Sequence, residues 1–202
     1  MKHELQVDLT RQVLEHVDAG TTCMAPDVSR QPVSAYTCEQ RFAREQKTLF
    51  SETPLVMALS CQIPNPGDYI TNDYTGAPVV MVRGRDGQAR AFLNVCRHRG
   101  ARVVDGQGTA RKVLSCPYHG WSYDLDGTLA HIPDASAFDG VDPACHGLAA
   151  LPLAERHGMI WVRPSAGDEI DVSLLLGELE EDIASFAVGE QMLYTTLSLI
   201  HI

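Results

Sequence analysis

The stretch that decides the fold begins Asn94-Val95-Cys96-Arg97-His98-Arg99-Gly100-Ala101 and resumes as Cys116-Pro117-Tyr118-His119-Gly120-Trp121-Ser122-Tyr123, with seventeen residues between His98 and Cys116. Each half supplies one thiol and one imidazole, and a glycine follows each histidine. Paired sulfur and nitrogen donors at this spacing point to a metal centre, and the residues alone leave two kinds open. In the first, two loops face each other across a [2Fe–2S] core, with one iron held by Cys96 and Cys116 and the other by His98 and His119. Gly100 and Gly120 would then let the backbone turn closely around the core and offer amide N–H groups to its sulfurs. In the second, the four side chains cage one structural zinc. Against zinc stands the order of the ligands. Zinc fingers usually keep their cysteines in one pair and their histidines in another, on a helix, whereas each loop here contributes one of each.

The segments around this stretch set its context. Residues 53–165 carry short apolar or β-branched runs, Val79 to Val82, Ala91 to Val95, Val113 to Ser115 and Met159 to Val162, punctuated by Gly and Pro. They predict a small antiparallel β domain. Asp86-Gly87 and Asp126-Gly127 sit where a hairpin needs positive φ. Residues 1–52 read as helical and irregular, with Leu5, Leu9, Val13, Leu14 and Val17 at helical steps and a second amphipathic helix over Glu39 to Phe50. Residues 166–202 return to helix, with Ser173 as the expected N-cap of a helix over Leu174 to Phe186. The fold class is therefore α+β.

The composition fits such a chain. It has 202 residues, 45% of them hydrophobic and 21% charged, which excludes collagen-like, low-complexity and disordered proteins. No run reaches the 18 apolar residues of a membrane span, and Lys2, His3, Glu4 and Asp8 break up the start, so no signal peptide is read and a cytoplasmic location is expected. Six cysteines are too few for a disulfide scaffold of this length. The net charge of −10 argues against nucleic acid as a partner. Within it, residues 83–112 hold eight basic groups against Asp86 and Asp105, a local balance of 8 − 2 = +6 that could meet an acidic partner or serve solubility.

The two halves quoted first closely resemble the Rieske motif of ring-hydroxylating oxygenase α subunits. The resemblance extends to Pro64-Asn65-Pro66-Gly67-Asp68-Tyr69 and to Gly158-Met159-Ile160-Trp161-Val162, about residues 50–165 in all. It implies a Rieske [2Fe–2S] domain with Cys96, His98, Cys116 and His119 as ligands. It implies that NAD(P)H electrons arrive through a reductase, sometimes via a ferredoxin, and pass to a mononuclear Fe(II) that activates O2. The family further implies a homotrimer, in which a carboxylate of the neighbouring subunit meets a ligand histidine. Rieske proteins of the cytochrome bc type carry an additional cysteine in each loop; those places resemble Ala101 and Tyr118 here. Trp121 stands where those relatives have a serine that hydrogen-bonds the cluster, so a potential low in the Rieske range is expected.

Other residues draw blander expectations. His131, His146 and His157 fall into no ligand pattern and read as surface or core residues. Cys23, Cys38, Cys61 and Cys145 read as inert thiols; Trp121 and Tyr123 could keep the cluster dry but read first as packing, and Glu178, Glu180, Glu181 and Asp182, which could suggest a carboxylate metal site, read as a solvated helix face. The family's catalytic iron needs two histidines and a carboxylate. After His157 only His201 follows, and no Asp-x-x-x-His-x-x-x-x-His occurs. The last six residues, Leu197 to Ile202, are what CTG TCT CTT ATA CAC ATC encodes, a string that resembles a transposase-type sequencing adapter. The expectation is thus the N-terminal portion of an oxygenase α subunit: 1–52 helical, 53–165 the Rieske domain, 166–202 the beginning of a truncated catalytic domain, with 197–202 adapter-derived. A standalone Rieske ferredoxin-type electron carrier is the alternative.

Overall fold

The structure is a computed structural model describing residues 3–195; the adapter-like hexapeptide 197–202 lies outside them. One strand organises the rest. β3 (Val79–Arg83) is buried at every position, and its side chains alternate between two cores, as a pleated strand requires. Val80 and Val82 enter the first, with Phe92, Val103, Leu114 and Tyr123. Val79 and Met81 enter the second, with Met57, Ile63, Leu151, Ile160 and Val162. Burial on both faces is why residues 79–82 read as an unbroken apolar run. Each such side chain contributes roughly 1.5–3 kcal/mol when fully buried.

Around β3 lie β2 (Asp68–Asn72), β4 (Ala89–Leu93), β5 (Gln107–Thr109) and β9 (Ala150–Leu151). They form an antiparallel five-stranded sheet in the order β5-β2-β3-β4-β9. Across the second core a three-stranded sheet joins β1 (Leu55–Leu59), β10 (Leu153–Arg156) and β11 (Met159–Val162), with β11 central. Across the first core, β6 (Val113–Ser115), β7 (Ser122–Asp124) and β8 (Leu129–His131) make a third, with β7 central. Both Asp-Gly pairs turn hairpins as expected, with Gly87 at φ +80° and Gly127 at φ +88°.

Arg83 ties two of these sheets together. Its guanidinium donates to both carboxylate oxygens of Glu155 on β10, at 2.5 and 2.8 Å, and to the carbonyls of Ile63 and Gly87 at 2.9 and 3.0 Å. The bidentate geometry suits an arginine this buried, 7% exposed.

The first 52 residues hold α1 (His3–Ala19), α2 (Ser34–Thr37) and α3 (Glu39–Lys47), followed by a π-turn over Thr48–Glu52. The apolar row of α1, Leu5, Leu9, Val13, Leu14 and Val17, remains exposed. At the other end the structure departs from the sequence expectation. The predicted single helix over 174–186 is two short ones, α4 (Val172–Leu176) and α5 (Glu180–Ser185), separated where Gly177 takes φ +53°. The N-cap is Asp171 rather than Ser173: its Oδ1 accepts from the Leu174 N–H at 2.9 Å. A charged acceptor at a helix start is also favoured by the backbone dipoles. Ser173 Oγ instead donates to Glu180 Oε1 at 3.0 Å.

Glu180 itself is not merely part of a solvated face. Its Oε1 also meets Arg156 Nε and Nη2 at 3.0 and 2.8 Å and His157 Nε2 at 2.9 Å. These donors, the histidine first, hold its carboxyl at about 2. The contact fastens α5 to the β10–β11 hairpin. Among the described residues no helix is long and apolar enough to cross a membrane.

Candidate metal centre

The two candidate loops leave different sheets yet have the same backbone. The first follows β4: Cys96 N–H donates to the Ala101 carbonyl at 2.8 Å and Gly100 N–H to the Cys96 carbonyl at 2.9 Å. The second joins β6 to β7: Cys116 N–H donates to the Trp121 carbonyl at 2.8 Å and Gly120 N–H to the Cys116 carbonyl at 3.0 Å. Gly100 and Gly120 sit at φ +75° and +73°, which a residue with a Cβ would reach only under strain.

Facing each other, the loops pair the candidate ligands by kind, thiol beside thiol and imidazole beside imidazole. Cys96 and Cys116 are each 3% exposed, within the first core. The Cys116 thiol lies within hydrogen-bonding reach of Cys96 and receives the backbone N–H groups of Tyr118 and His119. Burial raises its pKa above the ordinary thiol value, while those amides pull the other way. His98 and His119 meet edge to face, ring centroids 4.7 Å apart. His119 is exposed and His98 partly buried. Burial first, then neighbouring His119 and Arg99, disfavours a proton on His98.

The surrounding side chains include two whose roles the sequence did not disclose. Tyr123, fully buried, accepts from the Arg97 N–H at 2.9 Å and lies 3.2 Å from Cys96 Sγ. Were Cys96 a metal-bound thiolate, with no proton of its own, the Tyr123 hydroxyl would be the donor in that contact. Burial, and after it Cys96, raises the Tyr123 pKa, so the proton stays in place. Asn94, 1% exposed, braces the first loop: Oδ1 accepts from Val103 and Val104 N–H at 2.9 and 3.2 Å, and Nδ2 donates to the Val104 carbonyl at 2.7 Å. An asparagine just before a ligand loop and a tyrosine, not a phenylalanine, just after one were the available signals.

The remaining candidates fall elsewhere. His157 is bonded to Glu180, and His146 Nδ1 pairs with the Asp142 carbonyl at 2.7 Å. Cys145 is exposed, with its thiol against Asp142. In the basic segment, Arg83, Arg85, Arg90 and Arg102 are ion-paired to Glu155, Asp124, Asp86 and Asp73. Arg97 and Arg99 stand exposed on the first loop.

This donor set suits an iron–sulfur core better than one ion. The donors form a buried thiol pair beside an outer imidazole pair, the division that two irons with unlike ligands require. Comparison with known proteins identifies the domain: residues 53–152 match the family model of the Rieske [2Fe-2S] domain. The chain carries a Rieske [2Fe–2S] domain. This Rieske domain is homologous to those of oxygenase α subunits. The chain is 37% identical to the oxygenase subunit of carnitine monooxygenase from Escherichia coli (strain K12) over 131 residues, 65% of this chain and 35% of that protein. It is 35% identical to the biphenyl 2,3-dioxygenase α subunit of Rhodococcus jostii (strain RHA1) over 167 residues, 82% of this chain and 35% of that one. The crystal structure of a quaternary ammonium Rieske monooxygenase in complex with L-carnitine superimposes with a TM-score of 0.72 at 30% identity, covering 78% of this chain and 45% of the other. The chain thus spans about 35% of the length of these curated relatives.

Proposed function

We propose that Cys96 and Cys116 hold one iron and His98 and His119 the other, and that this Rieske domain is the electron-transfer module of a terminal oxygenase α subunit. The observation that carries the reading is the sorting of the four donors into a buried thiol pair and an outer imidazole pair. When bound, the cluster supplies one-electron transfer. The protein arranges its surroundings. Tyr123 directs a hydroxyl proton at the Cys96 sulfur, the N–H groups of Tyr118 and His119 face the Cys116 sulfur, and exposed His119 gives electrons a short path to a docked partner. In the full-length protein the donors are an NAD(P)H-dependent reductase and, in some systems, a ferredoxin. The acceptor is a mononuclear iron in a separate catalytic domain, with the subunits assembled as a homotrimer. A carnitine monooxygenase and a biphenyl dioxygenase share this domain, as fits a module that carries electrons and not substrate.

The test is spectroscopic. The 202-residue chain is expected to be brown and, once reduced, to give a rhombic EPR signal; Cys116→Ser abolishes it. Colourless protein containing zinc would overturn the assignment. A standalone carrier differs in its gene: there the reading frame closes at Ile202, whereas an oxygenase frame runs on into a segment with two histidines and a carboxylate.

A further inference from the structure

The two imidazoles are not held alike. His98 lies parallel to the indole of Trp121, centroids 5.0 Å apart and planes 8° apart. Phe138 then stands edge-on to both rings, 5.6 Å from His98 and 5.5 Å from Trp121, at 85° and 79°. Among the described residues, the ring contacts of His119 are the edge of His98 and the ring of Tyr118, 3.8 Å away, and Tyr118 is itself 60% exposed.

The route that brings Phe138 here is specific. Leaving β8, the chain lays Pro133 on the second loop, where a Cβ on Gly120 would meet the proline Cγ at 3.0 Å. Asp134 then adopts φ +51°, a left-handed conformation unusual for a residue with a side chain. That reversal starts the 3₁₀ turn Ala135–Phe138, closed by Ala137 N–H on the Asp134 carbonyl at 2.8 Å. Phe138 thereby lands on the histidine of the opposite loop. One strap thus spans both halves of the centre, and strain persists at such positions when their surroundings over-determine them.

We propose that Phe138 and Trp121 form an aromatic clamp that fixes the ring orientation of His98 and shields it from water, leaving His119 the more hydrated of the two imidazoles in this chain. Both are positioning residues, acting through His98. Simple core packing would fill the same volume without a parallel stack and a second ring perpendicular to both partners. The inference rests on the four-ligand cluster assignment above.

Pulsed EPR on the reduced 202-residue chain, with two histidine nitrogen couplings and deuteron modulation after exchange into D2O, separates the two ideas. Phe138→Ala is expected to shift one nitrogen coupling and to deepen the deuteron modulation. Tyr118→Ala is expected to shift the other coupling. Phe138→Tyr, which keeps a ring, restores the parental pattern; Phe138→Leu, which keeps apolar bulk without a ring, does not. If Phe138→Ala fails to load the cluster, the leucine variant decides. The clamp is refuted if Phe138→Leu leaves both couplings in place, or if the Phe138 and Tyr118 variants move the same one. Absence of a rhombic signal from the parent chain would instead sink the cluster assignment, and the clamp with it.

Discussion

Replacing Tyr123 by phenylalanine removes one oxygen atom and, with it, the hydroxyl that lies 3.2 Å from Cys96 Sγ, a sulfur proposed above as a ligand. The reduced cluster carries an additional negative charge, so a donor to sulfur stabilises it over the oxidised form and raises the potential. A typical hydrogen bond contributes about 0.5–1.5 kcal/mol net. For a one-electron couple about 1.4 kcal/mol corresponds to about 59 mV, so Tyr123→Phe should lower the midpoint potential by roughly 20–60 mV. The Tyr123 pKa lies above its ordinary value of 10; the hydroxyl therefore remains a donor throughout the neutral range, and the difference between the two proteins should not vary from about pH 6 to pH 9. The same substitution strands the Arg97 N–H, costing roughly 1–3 kcal/mol of stability. Dye-mediated titration followed by EPR measures the potential, and urea unfolding measures the stability. An unchanged or raised potential with the cluster intact would refute the assignment of the Tyr123 proton to Cys96.

Arg83→Met should destabilise the chain by roughly 2–4 kcal/mol in urea unfolding, somewhat below the full cost of stranding a buried charge because Glu155 keeps partial contact with water; a loss under half a kilocalorie would show the pair to be dispensable. Arg83 also holds the Glu155 carboxyl below its ordinary value, so the contribution of the pair is complete above the unfolded-state pKa and is lost as pH falls through the lower folded value; urea midpoints measured on acidification should drop more in the parent than in Glu155→Gln. Asn94→Ala leaves two amides and a carbonyl of the first loop without partners and should cost roughly 2–4 kcal/mol together with lowered iron content per chain, whereas full iron loading would contradict the bracing role. Glu180, held at about 2 against an ordinary 4.5, fastens α5 only while ionised; hydrogen exchange in residues 172–190 should accelerate as pH falls between those values, after correction for intrinsic rates, and Glu180→Gln should already show fast exchange at neutral pH.

The candidate metal site was legible because its chemistry is local: Cys96-Arg97-His98 and Cys116-Pro117-Tyr118-His119 offer their candidate donors within four residues, and only the facing of the two loops needed the fold. The strands carried equally local signals, such as the run at 79–82 and the two Asp-Gly turns. What escaped depended on register and on distant partners. Tyr123 matters because it pairs with Leu114 across β6 and β7 and so faces the first core beside Cys96, a position that no pattern around residue 123 encodes. Glu180 and His157 lie 23 residues apart, and helical spacing places the glutamate on a polar face without revealing the hairpin beneath it. Ser173 and Asp171 both suit an N-cap, and the choice fell to whichever oxygen reached the Leu174 amide. Phe138, in a segment without periodicity, carried no signal.

Near-identical loop backbones on two different sheets mean that the cluster's surroundings are, to first order, two copies of one mould. Whatever makes its two ends differ is then the work of individual side chains laid over that mould: a hydroxyl at Tyr123 on the sulfur side, an aromatic strap beside His98, the exposed ring of Tyr118 beside His119. Such a layout is modular. Single substitutions at those side chains can change one end of the centre without touching the backbone turn that both loops share.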